Sequence, residues 1–381
     1  MNRIYTDDHE LFRQSFRSFL DAEVMPRFEE FEHAGVMDRQ VYAEAGKHGF
    51  VGFNVPEAHG GGGSDDFRFN AIIAEELAAV GAGGGGLGLT LHNDIVSPYF
   101  VTYCNDEQAA RWLPGIASGE LITAIAMTEP GTGSDLAGVQ TTAVRDGDEW
   151  VLNGAKTFIT NGINSDLVIV VCRTDPAAGR AGISLLVVER GMPGFERGRN
   201  LDKIGQKSAD TAELFFSDVR VPAANMLGEE GKGFQYLGFN LAQERLSIGM
   251  YGLAAAKAAL DWTVEYTRER VAFGQPIAAF QNTKFVLAEV ATELAVTEPF
   301  IDQCVTKHNA KELSPAEAAM AKLWGTELQK RTVDRCLQFF GGYGYMAEYP
   351  IARAYAEARV ATIYGGTSEI MKTIIAKEVL G

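Results

Sequence analysis

Cysteine is scarce in this sequence, and its few cysteines are not spaced as in a disulfide framework or a zinc site. The 381 residues contain four of them. They are Cys104, Cys172, Cys304 and Cys336, with no C-x-x-C pair. Scattered thiols of this kind are typical of reduced core residues in a cytoplasmic protein. The six histidines have no metal-ligand spacing either, so we expect no metal centre.

Positive charge and long apolar runs are also lacking. The net charge of -16 argues against nucleic acid or an anionic membrane surface as the main partner, although a local basic pocket could hold a phosphorylated ligand. The longest apolar runs, such as residues 167–172, have the length of a strand, so we expect no membrane span. The N-terminus lacks the apolar stretch of a signal peptide, and we therefore expect a cytoplasmic protein.

Three regions that differ in their residue pattern follow one another along the chain. Residues 1–120 have helical periodicity, and residues 121–230 contain short β-rich segments separated by Asp-Gly and Asn-Gly turns. These turns predict a compact antiparallel β-domain, either a sandwich or a barrel. Residues 231–381 are rich in Ala, Leu, Glu and Lys over lengths that predict a helical bundle. We therefore expect an α+β protein of three domains with these boundaries.

Two runs of four glycines interrupt the first region, at residues 60–63 and 83–86. Glycine is the strongest local breaker of helical patterns together with proline. We expect both runs to form flexible loops.

One carboxylate lies where helical periodicity demands an apolar residue. On a helix through this region, Glu244 falls in the middle of one narrow stripe. The other members of that stripe are Leu237, Leu241, Ile248, Tyr251 and Ala255. A buried charge is costly unless it is paired or neutralised. The pattern leaves two interpretations open: an ion pair with an inward-facing arginine, or a general base with a raised pKa.

Five segments, taken together in their order and spacing, resemble the acyl-CoA dehydrogenase family of flavoenzymes over essentially the whole chain. They are residues 126–135, 157–162, 268–275, 338–344 and 363–372. The resemblance implies a helical N-terminal domain, a middle antiparallel β-domain and a C-terminal four-helix bundle. It also implies FAD as cofactor, an acyl-CoA substrate, an electron-transfer flavoprotein as electron acceptor and a homotetramer.

The first two segments contain hydroxyl and aromatic side chains, which suit a bound aromatic ring with a polar edge. Pro130 and two glycines bend the chain of the first segment, although an ordinary turn would have the same composition. In the second, positions 158 and 160 point to one face of a strand. The resemblance implies that the flavin is bound by Met127, Thr128, Gly133, Ser134, Phe158, Ile159 and Thr160. It also implies that Ser134 contacts CoA.

The third and fourth segments contain an arginine and a glycine turn. A guanidinium forms charge-assisted, bidentate bonds with phosphate, so Arg270 is a candidate pyrophosphate ligand, although a solvated helix charge is equally ordinary. The G-x-G-x-x-G fingerprint is absent. The resemblance implies that these segments bind the FAD of a neighbouring subunit. The residues it implicates are Arg270, Phe273, Gln281, Gln338, Phe339, Gly341 and Gly342.

The last segment opens a helix, where Thr367 or Ser368 can act as the N-cap and Glu369 suits the helix dipole. The resemblance adds contacts from Thr367 and Glu369 to the flavin nucleotide. It also places the Gly365 backbone at the thioester carbonyl.

The sequence departs from the commonest family pattern at Gly365, because medium-chain and short-chain members carry their catalytic Glu there. Members of the long-chain and isovaleryl branches have the base on another helix, in a Glu-Arg pair that aligns with Glu244 and Arg245. The resemblance thus implies Glu244 as the base that produces a trans-2-enoyl-CoA, with flavin N5 as hydride acceptor. It implies substrate contacts from Ser134, Leu241, Arg245, Gly365 and Gly366.

Three alternatives remain. A flavin monooxygenase or oxidase on the same scaffold often lacks the dehydrogenase base, so Glu244 argues against it. A non-catalytic CoA-binding subunit would not need the complete set of cofactor residues. For Arg245 itself, a surface or helix-pairing role is the alternative to a substrate contact.

Overall fold

The computed structural model describes residues 4–381 and has the predicted order of a helical region, a sheet and a second helical region. The first region contains seven α-helices. They are α1 Asp7–Phe19, α2 Phe28–Ala34, α3 Arg39–Lys47, α4 Arg68–Ala79, α5 Gly83–Thr90, α6 Ser97–Tyr103 and α7 Asp106–Ala117. The phenylalanines of α1 recur at helical spacing, and Phe16 and Phe19 are buried against Phe50. A π-helical turn, Leu91–Val96, joins α5 to α6.

The prediction that residues 83–86 form a flexible loop is wrong, because they are the buried first turn of α5. A Cβ at Gly83 would lie 1.4 Å from the Tyr251 hydroxyl, and one at Gly84 would lie 2.5 Å from a Glu357 carboxylate oxygen. These glycines allow close packing against the C-terminal helices, so their small size matters here and not their flexibility. The run at 60–63 does form a turn, and Gly60 has a left-handed φ of 84°.

The middle region forms one seven-stranded sheet. Its strands are β1 Thr123–Ala126, β2 Thr142–Asp146, β3 Glu149–Thr160, β4 Leu167–Arg173, β5 Ile183–Glu189, β6 Phe195–Asn200 and β7 Thr211–Pro222. The strand order is β1-β4-β2-β3-β7-β6, with β5 on β4. Most pairs are antiparallel, as expected, but β1 runs parallel to β4, and β2 meets the end of β4 in parallel.

Both faces of β4 and β5 are buried, and each belongs to a different core. Val168 and Val170 face a core formed within the sheet. Ile169 and Val171 face α6 and α7 together with Leu237 at the start of the next helix. This second core therefore joins all three regions, and the candidate active site lies at its border.

The C-terminal region contains the long helices. They are α8 Gly233–Glu269, α9 Gln281–Asn309, α10 Pro315–Phe340, α11 Pro350–Ala361 and α12 Ser368–Leu380, with a short hairpin of β8 Val271–Ala272 and β9 Gln275–Pro276 after α8. Helices α8 and α10 run parallel and touch backbone to backbone at glycines. A Cβ at Gly252 would lie 2.6 Å from the Gly325 carbonyl oxygen. At the far end of the pair Tyr266 stacks on Phe340, with ring centroids 4.2 Å apart.

Within residues 4–381, no helix combines the length and apolar character needed to cross a membrane. The same residues contain no cluster of three or more His, Cys, Asp or Glu that could hold a metal ion. All four cysteines are free thiols.

Candidate active site

Glu244 is buried on α8 and accepts a hydrogen bond of 2.9 Å from the Tyr99 hydroxyl. Its exposed fraction is 5%. Burial raises the pKa of Glu244 to about 7, against the opposing effects of the Tyr99 hydrogen bond and the nearby charge of Arg245. No arginine among residues 4–381 forms an ion pair with this carboxylate. The ion-pair interpretation is therefore wrong, and the carboxylate has the pKa of a general base that works near neutral pH.

Tyr99 bonds to the predicted base, and no pattern in the sequence indicated it. It lies on α6 in the core that joins the three regions, where it is completely buried. Its ring lies 6.2 Å from that of Tyr103, which stacks on Tyr236 of α8. A tyrosine in an apolar helix gives little signal by itself, because its partner Glu244 lies 145 residues later in the chain.

Gly365 and Gly366 form the turn between α11 and α12, with φ angles of 61° and 96° that favour glycine. A Cβ at Gly365 would lie 2.2 Å from Cδ1 of Ile248. Ile248 follows Glu244 by one helical turn, so the glycine turn lies against α8 one turn beyond the predicted base. Thr367 caps α12, as expected, by accepting a hydrogen bond of 3.3 Å from the Ile370 amide.

Lys322 of α10 also contacts this turn, although no pattern in the sequence indicates this contact. Its Nζ donates a hydrogen bond of 2.7 Å to the Gly366 carbonyl. The side chain is fully buried.

Arg245 lies on the opposite side of α8 from the solvent, with 9% of its surface exposed. The surface role considered for it is therefore wrong. Its Nε has no hydrogen-bond partner within residues 4–381, and burial lowers the pKa of its guanidinium. Leu241, one turn before it, is partly buried. An unsatisfied buried donor of this kind is suited to a polar ligand atom.

The loop at residues 127–134 is fixed from beneath by a buried ion pair. Lys156 donates to the Met127 carbonyl at 3.1 Å and to the Glu129 carboxylate at 2.8 Å. The Thr128 carbonyl accepts from the Thr157 amide at 2.9 Å. These bonds leave Thr128 partly exposed, and Gly133 and Ser134 exposed. The loop is held firmly while its predicted ligand-facing residues remain accessible.

Phe158 is exposed and Thr160 partly exposed on β3, on either side of the buried Ile159. A β-bulge between Lys156 and Ile159 interrupts the pairing with β7, and Phe158 has a left-handed φ of 59°. Its ring is 68% exposed, although it is large and apolar. Ile159 points to the opposite face, into the core of the sheet, so only its backbone is available to a ligand.

The predicted cofactor residues of the third and fourth segments lie around the C-terminal ends of α8 and α10. Arg270 follows the last turn of α8, with its guanidinium 5.8 Å from the centre of the Tyr343 ring. Phe273, in the β8–β9 turn, is 95% exposed. Gln281, Gln338, Gly341 and Gly342 are also exposed, and a Cβ at either glycine would meet no atom within 4 Å. Gln338 and Phe339 line a cavity of about 1210 Å³.

Twenty-six residues of chain separate Glu244 from Arg270. At 1.5 Å per residue this corresponds to about 39 Å along α8. Glu369 is exposed in the first turn of α12, beside Thr367 at the Glu244 end. The predicted cofactor residues form two groups, one on the β-domain and at the start of α12, and one around the C-terminal ends of α8 and α10.

The residues present fit a flavin nucleotide. The group on the β-domain offers an exposed aromatic ring at Phe158 and hydroxyls at Thr128, Ser134 and Thr160. The other group offers a guanidinium at Arg270 and an open glycine backbone. A buried carboxylate of raised pKa in a three-region α+β protein is a candidate general base.

Comparisons with known proteins agree with this construction. Family models match as acyl-CoA dehydrogenase N-terminal domain over residues 6–120, middle domain over 124–219 and C-terminal domain over 231–380. The long-chain specific acyl-CoA dehydrogenase of Sus scrofa mitochondria is 49% identical, over 100% of this chain and 88% of that protein. This chain belongs to the acyl-CoA dehydrogenase family.

Solved structures support the same assignment. An acyl-CoA dehydrogenase from Geobacillus kaustophilus has a TM-score of 0.96 and 49% identity, with 100% of both chains covered. An acyl-CoA dehydrogenase from Bacillus anthracis, complexed with FAD, has a TM-score of 0.92 and 33% identity over 99% of this chain and 67% of that one. The expected fold is confirmed. The protein is an FAD-dependent enzyme that dehydrogenates acyl-CoA thioesters, and neither the oxidase nor the non-catalytic alternative is favoured.

Proposed function

We propose that Glu244 is the base that removes the α-proton of the acyl-CoA. The supporting observation is its burial one helical turn before Ile248, which packs against Gly365, with a hydrogen bond from Tyr99 and a pKa raised to about 7. A base of this pKa is ionised in about half of the molecules at neutral pH and is stronger than an exposed glutamate.

The Gly365 amide serves as a donor to the thioester carbonyl oxygen. Removal of the α-proton leaves negative charge on that oxygen, and a fixed amide in a dry site stabilises this charge. When bound, FAD supplies the acceptor for the hydride of the β-carbon, which gives a trans-2-enoyl-CoA. The apolar surroundings of Glu244 keep water from competing for the developing charge.

FAD binding is shared between two copies of the chain in this proposal. One copy holds the flavin through Met127, Thr128, Gly133, Ser134, Phe158, Ile159 and Thr160, with Thr367 and Glu369 nearby. The neighbouring copy contributes Arg270, Phe273, Gln281, Gln338, Phe339, Gly341 and Gly342. The distance of about 39 Å along α8 between the proposed base Glu244 and Arg270 supports this division.

A shared site requires at least a dimer, and we propose the homotetramer that the family resemblance implies. The exposed Phe273, Phe285 and Tyr345 are suited to burial between subunits. An electron-transfer flavoprotein is the proposed electron acceptor, again by resemblance. We also propose a cytoplasmic location, which the four free thiols support.

The substrate is proposed to be a straight-chain acyl-CoA, which the similarity to relatives named long-chain specific supports. Leu241, Gly365 and Gly366 line the proposed thioester site. Ser134 and the unsatisfied Arg245 are available to polar atoms of CoA.

Three domains are proposed, at residues 1–120, 121–230 and 231–381. Each boundary falls between regular elements. Helix α7 ends at Ala117 and β1 begins at Thr123, while α8 begins at Gly233.

Anaerobic bleaching of the flavin absorbance tests the assignment of Glu244. We expect Glu244→Gln to retain FAD and to bleach at least 10²-fold more slowly than the wild type, because proton abstraction is lost. Glu265→Gln, an exposed carboxylate on the same helix, is the control and should bleach at the wild-type rate. Straight, branched and aromatic acyl-CoAs of graded size then define the substrate. An undiminished rate in Glu244→Gln would exclude Glu244 as the base.

A further inference from the structure

Lys322 is a fully buried lysine without a carboxylate partner. It lies on α10 with 0% of its surface exposed, and among residues 4–381 no carboxylate oxygen lies within ion-pair distance of its Nζ. Burial lowers the pKa of Lys322 to about 8, while Glu327 and Glu369 raise it and Arg245 lowers it. Burying an ammonium group in this way is costly. We therefore expect the buried Lys322 to have a functional role.

The only hydrogen-bond partner of the Lys322 Nζ within residues 4–381 is the Gly366 carbonyl, at 2.7 Å. The α10 helix contacts the same turn a second time, through Glu327, whose carboxylate accepts from the Ser368 hydroxyl at 2.9 Å. The Ser368 amide in turn donates to the Thr362 carbonyl at 3.1 Å. Two side chains of α10 thus bond to this turn, Lys322 at Gly366 and Glu327 at Ser368.

The backbone of this turn needs such support. Gly365 and Gly366 are consecutive glycines with left-handed φ angles, and glycine has more conformational freedom to lose than any other residue. Without an external partner, the peptide groups of the turn could reorient. A displacement of about 1 Å in a catalytic group can lower a rate by about 10².

We propose that Lys322 is a positioning residue that fixes the Gly365 amide against the thioester carbonyl, through its hydrogen bond to Gly366. The proposal rests on the function proposed above for Gly365. It assigns Lys322 no contact with substrate. Lys322 holds the donor, and Glu244 acts as the base independently.

Binding of two unreactive ligands tests this role apart from turnover. A 3-thia-acyl-CoA has the thioester carbonyl but a sulfur in place of the β-carbon, so no hydride can leave. An S-alkyl-CoA thioether of equal length lacks the carbonyl. In the FAD-loaded enzyme we expect Lys322→Met to bind the 3-thia-acyl-CoA at least tenfold more weakly. The thioether should bind with unchanged affinity.

Lys284→Met, an exposed lysine on α9, controls for the lost charge and should bind both ligands as the wild type does. Equal weakening of both ligands in Lys322→Met, or weakening of neither, would overturn the proposal. If Lys322→Met does not fold, Lys322→Gln is measured, because it keeps a shorter donor. A selective but smaller loss for the carbonyl ligand is then expected, and a non-selective result again overturns the proposal.

Glu244→Gln distinguishes this proposal from the assignment of the base. That variant should bind both ligands yet fail to remove the α-proton of the 3-thia-acyl-CoA. If it still removes the proton, the assignment of the base fails, while the selective effect of Lys322→Met on carbonyl binding stands or falls on its own measurement.

Discussion

At the scale of single residues, the environment of Glu244 determines when it can accept a proton. Burial raises its pKa to about 7, and the Tyr99 hydroxyl opposes this shift by stabilising the ionised carboxylate. The carboxylate must be deprotonated to act as a base. Because the pH dependence of kcat/KM reports the free enzyme, we expect kcat/KM to fall about tenfold per pH unit below about pH 7. A profile that stays flat down to pH 5 would contradict the raised pKa.

Removing the Tyr99 hydroxyl should move this profile to higher pH. A hydrogen bond to a charged group contributes about 1.5–3 kcal/mol, which corresponds to about one to two pH units. We therefore expect Tyr99→Phe to shift the acid limb of kcat/KM upward by about that amount while FAD is retained. Tyr103→Phe is the matched control, since Tyr103 lies beside Tyr99 but bonds to Asn240. Equal shifts in both variants would mean that the effect is not specific to Glu244.

The site residues differ in how far the sequence could predict them. Glu244 could be singled out because helical periodicity alone identifies a carboxylate on an apolar stripe. Thr367 could be predicted as a cap from local chemistry. Tyr99 and Lys322 could not, because their partners lie 145 and 44 residues away in the chain. A buried polar contact of this kind exists only once the helices have packed.

At the scale of elements, glycine controls how closely helices approach. The glycine run at residues 83–86 predicts a loop, yet these residues form a helical turn. Neighbouring side chains occupy the space that a Cβ would need, so glycine is the residue that fits there. The direction of β1 beside β4 was also not predicted, since strand patterns show burial and not pairing. The sequence therefore predicts which segments are regular better than it predicts which segments touch.

The contact between α8 and α10 gives an element-scale prediction. A Cβ at Gly252 would overlap the Gly325 backbone, which cannot rotate away. We expect Gly252→Ala to destabilise the protein by about 1–3 kcal/mol, the usual cost of overpacking. Gly238→Ala on the same helix meets no atom within 4 Å and should be neutral or stabilising, because alanine is the better helix former. Denaturant midpoints of the two variants test this, and equal midpoints would contradict the close crossing.

At the scale of the whole molecule, the two groups of cofactor residues lie on different parts of the fold, one on the β-domain and at the start of α12, the other around the C-terminal ends of α8 and α10. This arrangement places FAD between chains in the proposed function. It also explains why Phe158 and Phe273, both large and apolar, are exposed in a single chain.

Complementation between two defective variants tests the shared site. Phe158→Asn removes the aromatic ring but tolerates the left-handed backbone, and Arg270→Gln removes the proposed phosphate ligand in the other group. We expect each variant alone to bind little FAD. Co-expression should restore tight FAD binding in about a quarter of the sites, because half of randomly formed dimers contain both variants and each has one intact site. No recovery in the mixture would indicate that each site lies within one chain.

The most direct test of Glu244 as the base is exchange of the α-proton of a bound acyl-CoA analogue in deuterium oxide, followed by mass spectrometry. The 3-thia-acyl-CoA is suitable, because it can lose its α-proton but cannot lose a hydride. If Glu244 is the base, the wild-type enzyme incorporates deuterium and Glu244→Gln incorporates it at least 10²-fold more slowly, although both bind the ligand. Incorporation at the wild-type rate by Glu244→Gln would contradict the account.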